Sequence, residues 1–417
     1  MLRILVVEDE PEKRQLLTQA ICNPVNISLD NVLVADNVRD AKRLLSQYHF
    51  DLVVLDLNVP RTAAAPPEKG AGLDVLAYIK NNTRAIAPAY VFGLTAYEDS
   101  FAEAADAFES ALWKVMRFSY SDASWNRALR AALEYLISRQ TPPYVTDGRT
   151  HHCDVAIAVA LEEELQSILA LPGSWRKITV LHDHAQYYAG VASFDGRSLS
   201  IVASVASRMG MSNMAATSMK MVTAFHPKLI ATSGLCAGVR EKTRIGDVLV
   251  ADPCFDWGSG KWVRENKKSP PKFLPAAYQW RLDARLATAA RHAGNDDGFL
   301  RDLYISYVGD KPPDPPQVLV DAMASGGSVL QVEELMADVR GQHKNLIGVE
   351  MESYALFSVA QDASEPRPLC IAIKSVCDFG DEEKNDKYRP YASYTSARFL
   401  WNLLGSSPVL EILGGPA

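Results

Sequence analysis

Five polar residues punctuate the apolar runs of the first 120 positions: Glu8 and Asp9 after "RILVV", Asp56 in "DLVVLDL", Thr95 in "AYVFGLT" and Lys114 in "LWKVMR". Three carboxylates brought together repel one another unless a divalent cation binds, and Mg²⁺ suits such an oxygen-rich site with retained waters. With the cation held by Glu8, Asp9 and Asp56, the Asp56 carboxylate can attack a phosphoryl donor, and Thr95 and Lys114 can contact the new phosphate oxygens. A second signal lies at 348–359, "GVEMESYALFSV", where Glu350 and Glu352 interrupt small and apolar neighbours. Either the pair lines the exposed face of a helix, or it is buried, and then each carboxylate needs partners.

The elements that must position the first group are readable. Strand-like runs "RILVV", "NVLVA", "DLVVLDL" and "AYVFGLT" alternate with amphipathic stretches at 11–22, 38–48, 73–81 and 123–139. This alternation predicts an α/β fold, a doubly wound parallel sheet with helices on both faces and function at the carboxyl ends of its strands. The Pro- and Gly-rich "PRTAAAPPEKGAG" after Asp56 predicts an irregular excursion. "TPPYVTDGRTHH" at 141–152 reads as a linker, because paired prolines and Asp-Gly break the periodicity. A new strand-and-helix series begins at Cys153 with "CDVAIAVALEEELQSIL". The expected organisation is therefore a domain at 1–139, a linker at 140–152 and a second domain at 153–417.

Composition narrows the classes. A chain of 417 residues, 48% hydrophobic and 22% charged, has room for two or three packed domains and is neither disordered nor fibrous. The net charge of -7 gives no general attraction to nucleic acid or anionic lipid, and nothing resembles a recognition helix. Any phosphate recognition must be local. Without an apolar run of about 20 residues or a signal-like N-terminus, a cytoplasmic location is expected. The six cysteines lack metal or disulfide spacing and read as reduced core thiols, and "HDH" at 182–184 reads as a solvated turn.

The order "VVEDE", "VLDLNVP", "GLTA" and then Lys resembles the receiver domain of two-component response regulators over about residues 1–139. The resemblance implies a phosphoacceptor Asp56, Mg²⁺ bound by Glu8, Asp9 and Asp56, and a partner histidine kinase or phosphotransfer protein. It also shows departures: Val115 stands where a Pro usually follows the Lys, and Ala111 where an aromatic switch residue is usual.

A second ordered series, "LEEEL", "VASRMGMSNMAATSMKMV", "KLIATSGLCAGVR", "MASGGSVLQVEEL", "GVEMESYALF" and "IKSVCDFGDEE", resembles the nucleoside phosphorylase and methylthioadenosine/S-adenosylhomocysteine nucleosidase superfamily. That resemblance implies an α/β domain with a mixed central sheet. It assigns Glu164 to the attacking water, Met351 to packing under the ribose, Glu352 to the ribose hydroxyls and Asp378 to the purine N7. Ser233 and Gly234, opening an "SGLCAG" turn, would lie near the base. Such chemistry is consistent physically, because cleaving a riboside C–N bond builds positive charge on the sugar and negative charge on the purine. An enclosed Asp378 would keep its proton while Glu164 stays ionised beside water. Glu350 is expected to make a structural contact. Cys377 replaces the usual Ser before the acid, and Val329 replaces the usual stacking aromatic. Phosphate-binding basic residues are not evident around "VALEEEL", which favours hydrolysis over phosphorolysis.

The joined architecture resembles the effectors of Detocs bacterial anti-phage systems, and this implies a receiver-controlled enzyme that cleaves ATP to adenine and ribose triphosphate. Arg208, ahead of a helix whose N-terminus would favour anions, is the leading cation for the phosphates, with Arg240, Lys374, Lys387 and Arg389 behind it. "KWVRENKKSPPK" reads as a solvated insertion. The superfamily resemblance implies a homo-oligomer. A methylthioadenosine/S-adenosylhomocysteine nucleosidase, a phosphorylase under two-component control and a non-catalytic nucleotide sensor remain alternatives.

Overall fold

The structure, a computed structural model, describes residues 2–414 apart from 26, 28, 139–141, 145, 147, 195 and 277. Positions 139, 140, 141, 145 and 147, at and within the expected linker, thus lie outside the described residues. The chain divides into two compact units, Met1–Thr141 and Pro142–Ala417.

The first unit alternates strand and helix: β1 (Ile4–Val7), α1 (Pro11–Val25), β2 (Val32–Ala35), α2 (Val38–Gln47), β3 (Leu52–Asp56), α3 (Leu73–Asn81), β4 (Tyr90–Thr95), α4 (Glu98–Glu109), β5 (Lys114–Arg117) and α5 (Ser124–Ser138). The strands form one parallel sheet in the order β2-β1-β3-β4-β5. Strand periodicity splits the core in two. Leu5, Val7, Val53 and Leu55 join the apolar residues of α2 and α3, whereas Ile4, Val6, Leu52 and Val54 join those of α1 and α5. This is why the central strands are continuously apolar. Helix α4 is absent from the sequence reading because "EDSFAEAADAFE" buries little beyond Ala104 and Phe108. The stretch between β3 and α3 holds no helix or strand, only a Pro60–Pro67 bridge.

Glu8 follows the last residue of β1 and Asp56 ends β3, as the pattern requires, but the register of β5 displaces Lys114. Asp56 pairs with Leu94, and Leu94 with Met116. Lys114 pairs with Phe92, two residues back toward the amino end of the sheet, and its side chain is exposed. The expectation that Lys114 contacts phosphate is therefore corrected. Thr95 is in register with Arg117, whose guanidinium pairs with Glu98 at 2.5 Å.

The second unit runs β6 (Cys153–Val159), α6 (Glu162–Leu169), β7 (Arg176–Ile178), β8 (Tyr187–Phe194), β9 (Arg197–Val205), α7 (Met211–Phe225), β10 (Pro227–Gly238), β11 (Val248–Asp256), β12 (Gly260–Val263), β13 (Lys272–Pro275), β14 (Gln279–Trp280), α8 (Ala284–Gly294) and α9 (Asp297–Ser306). It continues with β15 (Val318–Ser325), α10 (Glu333–Gln342), β16 (Gly348–Glu350), α11 (Ser353–Asp362), β17 (Leu369–Asp378), α12 (Arg389–Gly405) and α13 (Ser407–Gly414). A ten-stranded mixed sheet has the order β14-β11-β15-β16-β10-β6-β9-β8-β7, and β17 pairs with both β10 and β11. The β17–β10 pairing is parallel and the β17–β11 pairing antiparallel. Helix α12 packs on β10 and β17, and α7 packs on α11. One expectation changes: "SGLCAG" is the end of strand β10, not a turn. "KWVRENKKSPPK" is exposed along nearly all its length, as expected of a solvated insertion, and forms most of a β12–β13 hairpin.

Candidate active site

Glu164 opens the site from the first turn of α6. Its Oε2 accepts hydrogen bonds from the N–H groups of Ala160 (2.9 Å) and Leu161 (3.0 Å), capping its own helix, and its Oε1 accepts from Leu235 N–H at 3.0 Å. The close approach to β10 depends on Gly234, where a Cβ would stand 2.0 Å from Glu164 Oε1. Glu164 is buried, and burial pushes its pKa up, with Lys374 opposing and Glu352 reinforcing the shift.

The two glutamates of "GVEMESYALFSV" occupy a strand-to-helix junction, and both are buried. Glu350 closes it: its carboxylate accepts from Ser325 Oγ and from the N–H groups of Glu352 and Ser353, both at 3.0 Å, at the start of α11, where the helix dipole favours a negative charge. Glu352, which lines the same cavity as Glu350, has other partners. Its Oε1 accepts from Gly210 N–H (2.9 Å) and its Oε2 from Lys374 Nζ (3.0 Å). The Lys374 ammonium has no exposed surface and also lies 3.4 Å from Glu350. Burial works against that charge, but Glu352, Glu350 and Glu164 outweigh it and raise the lysine pKa.

Asp378 ends β17. Its Oδ1 accepts from Gly380 N–H at 2.9 Å, and its Oδ2 lies 3.3 Å from Cys377 Sγ and 3.2 Å from Lys384 Nζ. Glu164, Glu352 and Asp378 line one cavity of 330 Å³, together with Met351 and Val329. The cavity also admits Met209, Lys384 and Arg389. Val329 is half exposed, as an apolar wall in place of an aromatic ring.

Several expected residues stand elsewhere. Ser233 is buried against α12, donating to Ser396 Oγ at 3.1 Å, and is not on the cavity wall. Gly234 acts by making room for Glu164. Arg208 is exposed and off the wall, because the chain turns at Gly210 (φ 107°) and presents Met209 instead. Arg240 pairs with Asp381 and Glu383, Lys374 is committed to Glu350 and Glu352, and Lys387 sits over the Tyr388 ring. Arg389 does reach the cavity, paired with Glu163 and Asp386.

In the first unit, Glu8, Asp9 and Asp56 bring ligand oxygens within 4.8 Å of one another, a donor set that fits a small hard cation. They line a 680 Å³ cavity. Burial, and then Asp56, push the Glu8 pKa up to about 7, and burial raises that of Asp9. Asp56 Oδ1 accepts from Asn58 N–H at 3.1 Å, and Thr95 Oγ1 accepts from Tyr97 N–H at 3.1 Å. A lysine that the sequence reading passed over enters here: Lys13 of α1 is buried, with Nζ 2.5 Å from Asp56 Oδ2 and 2.8 Å from Glu8 Oε2.

Residues 154–403 match the phosphorylase superfamily, and residues 4–115 match the response regulator receiver domain. The chain belongs to the phosphorylase superfamily. It carries a receiver domain ahead of its phosphorylase-superfamily domain. An uncharacterized protein of Sinorhizobium fredii, y4jS, is 29% identical over 95% of this chain and 97% of its own length. The ATP nucleosidase Cap17 of Escherichia coli is 27% identical over 49% of this chain, a match spanning 41% of that protein. A 5'-methylthioadenosine/S-adenosylhomocysteine nucleosidase of Lysinibacillus sphaericus is 22% identical over 60% of this chain and 99% of its own. The solved futalosine hydrolase of Helicobacter pylori covers 61% of this chain and 97% of its own at 23% identity, with a TM-score of 0.47. The Escherichia coli and Lysinibacillus sphaericus relatives are nucleosidases by name, that is, N-glycosyl hydrolases.

Two lysines that the structure places beside carboxylates of these cavities escape the sequence pattern. Lys384 lies six positions past Asp378 in the polar loop "GDEEKNDK", where periodicity carries no information. Lys13 sits in an apparently ordinary surface helix, and only its place in the first turn after "EDEP" hints that it faces the acids.

Proposed function

We propose that the phosphorylase-superfamily domain hydrolyses the N-glycosidic bond of an adenine nucleotide, with ATP as substrate and adenine and ribose triphosphate as products. The observation that carries this reading is the placement of Glu164 and Asp378 on the wall of one cavity with Glu352. Water attacks the anomeric carbon as the C–N bond breaks. The bonding electron pair leaves with the purine, which takes a proton at N7 from Asp378, and Glu164 accepts the proton released by water. Glu352 receives the ribose hydroxyls, and the negative charge it shares with Glu164 stabilises the cationic sugar of the transition state.

Support for ATP comes from the likeness to an ATP nucleosidase and from Lys384 and Arg389, the cations that line the cavity among the described residues. The apolar Met209 and Val329 favour one second reading, a thioether nucleoside, which the likeness to methylthioadenosine/S-adenosylhomocysteine nucleosidases also supports. The receiver domain regulates the reaction through phosphorylation of Asp56 by a histidine kinase or phosphotransfer protein. Glu8, Asp9 and Asp56 would hold Mg²⁺, which when bound neutralises the charge of the phosphorylated site. ATP depletion under such control would serve as a bacterial anti-phage response.

The test is release of free adenine from ATP, dATP, AMP, methylthioadenosine and S-adenosylhomocysteine, with and without a phosphodonor and Mg²⁺. Release from ATP, changed by the phosphodonor in the wild type and unchanged in Asp56→Ala, supports the reading. Release from the thioether nucleosides alone overturns it.

A further inference from the structure

We propose that Lys13 is the phosphate-contacting cation of the receiver domain, the part that sequence order would give to Lys114. The proposal rests on the reading of Asp56 as phosphoacceptor. Lys114 is at the wrong end of β5, and Arg117, level with Thr95, is paired with Glu98. Among the described residues lining the acidic cavity, Lys13 is the single Lys or Arg. Its ammonium lies 2.5 Å from the Asp56 oxygen and 5.0 Å from the centre of the Phe118 ring, which covers it. An ammonium so buried is expensive unless its partners require it. An apolar side chain at position 13 would fill the same space, so packing alone does not call for lysine.

Charge makes the requirement definite. Glu8, Asp9 and Asp56 contribute three negative charges when ionised, Glu10 on the same cavity wall adds a fourth beside Tyr120, and Lys13 returns one, leaving an excess for a divalent cation to reduce. Lys13 therefore supplements the metal. In phosphoryl transfer from a phosphoramidate, the nitrogen-linked donor of a phosphohistidine, an Asp56 oxygen forms a bond to phosphorus. The P–N bond breaks, and its electron pair leaves on the nitrogen, which takes a proton from solvent. The acyl phosphate keeps the added negative charge beside Lys13, whose ammonium passes from the carboxylate oxygen to a phosphoryl oxygen. Because α1 carries Lys13, this exchange links phosphorylation to a helix.

The experiment uses the full chain and two measurements: phosphoryl uptake from phosphoramidate by phosphate-affinity electrophoresis, and Mg²⁺ titration followed by intrinsic fluorescence. Lys13→Met is expected to slow uptake at least tenfold while binding Mg²⁺ about three- to tenfold more tightly, since the site gains net negative charge. A misfolded variant would lose both, so Lys13→Arg is measured beside it and is expected to stay within about threefold of wild type in each. Lys114→Ala is expected to change neither. Wild-type uptake by Lys13→Met, unaltered Mg²⁺ affinity in that variant, or loss of uptake in Lys114→Ala overturns the proposal. A wild-type chain that binds Mg²⁺ but takes no phosphoryl group overturns the phosphoacceptor reading itself.

Discussion

Lys374 Nζ lies 3.0 Å from Glu352 Oε2, with both groups buried, Glu352 on the cavity wall and Lys374 behind it. The pair joins α11 to β17, and because Glu350 is 3.4 Å from the same nitrogen, one cation serves two carboxylates. Removing one partner of a buried pair leaves the other uncompensated, at a cost of about 3–5 kcal/mol. Lys374→Met is therefore expected to lose stability in that range when unfolding of the Pro142–Ala417 unit is followed in urea, and Lys374→Arg to lose less than half as much. A loss under about 1 kcal/mol for Lys374→Met would show that the glutamates find other partners.

Gly234 contributes through what it lacks. A methyl group there would stand 2.0 Å from Glu164 Oε1 and 2.6 Å from its Cδ, so the carboxylate must move. A displacement of about 1 Å in a reacting group costs on the order of a hundredfold in rate. Gly234→Ala is expected to lower kcat for adenine release by about that factor with an unchanged far-ultraviolet circular dichroism spectrum. Near-wild-type turnover would mean that Glu164 does not handle the water.

What the sequence made legible follows from the range of the forces involved. The strands at Ile4–Val7 and Leu52–Asp56 are apolar because both faces are covered, and the carboxylates that close them must emerge at one edge. The positions of Glu164, Glu352 and Asp378 rest on short motifs in order, each tied to the end of a strand or the start of a helix. The misreadings concern residues whose direction is set over long range. Lys114 was displaced by the β4–β5 register, and Ser233 turned toward Ser396, 163 positions away. Arg208 and Met209 are adjacent, and local pattern does not say that Met209, not Arg208, lines the cavity. Lys13 and Lys384 gain meaning from carboxylates on other elements, a relationship that no local pattern encodes.

The cations of the cavity discriminate between substrates. Lys384 and Arg389 offer positive charge to a phosphate chain and little to a neutral thioether. Arg389→Ala is expected to raise the KM for ATP about tenfold, with adenosine used at an unchanged KM, whereas Lys384→Ala also removes the cation 3.2 Å from Asp378 and is expected to slow turnover of both substrates. Equal losses with both substrates in Arg389→Ala would place that cation at the base or in the fold, not at the phosphates.

The pH profile reports on the carboxylate that handles water. Burial raises the Glu164 pKa, Lys374 lowers it, and Glu352 raises it again. Because a base must be deprotonated, a raised value keeps Glu164 protonated to higher pH, and the rate climbs only as pH passes through that value. The acidic limb of kcat/KM is therefore expected above the ordinary glutamate value of about 4.3. Lys374→Gln removes the opposing ammonium and should move the limb to higher pH, whereas Glu352→Gln removes a like charge and should move it lower. Glu164→Gln should abolish the limb along with most of the rate, by about 10²–10⁴-fold. A limb that stays near pH 4.3 and ignores both Lys374 and Glu352 would belong to a different carboxylate, and Glu164 would then be left with its hydrogen bonds to Ala160, Leu161 and Leu235 as its whole function.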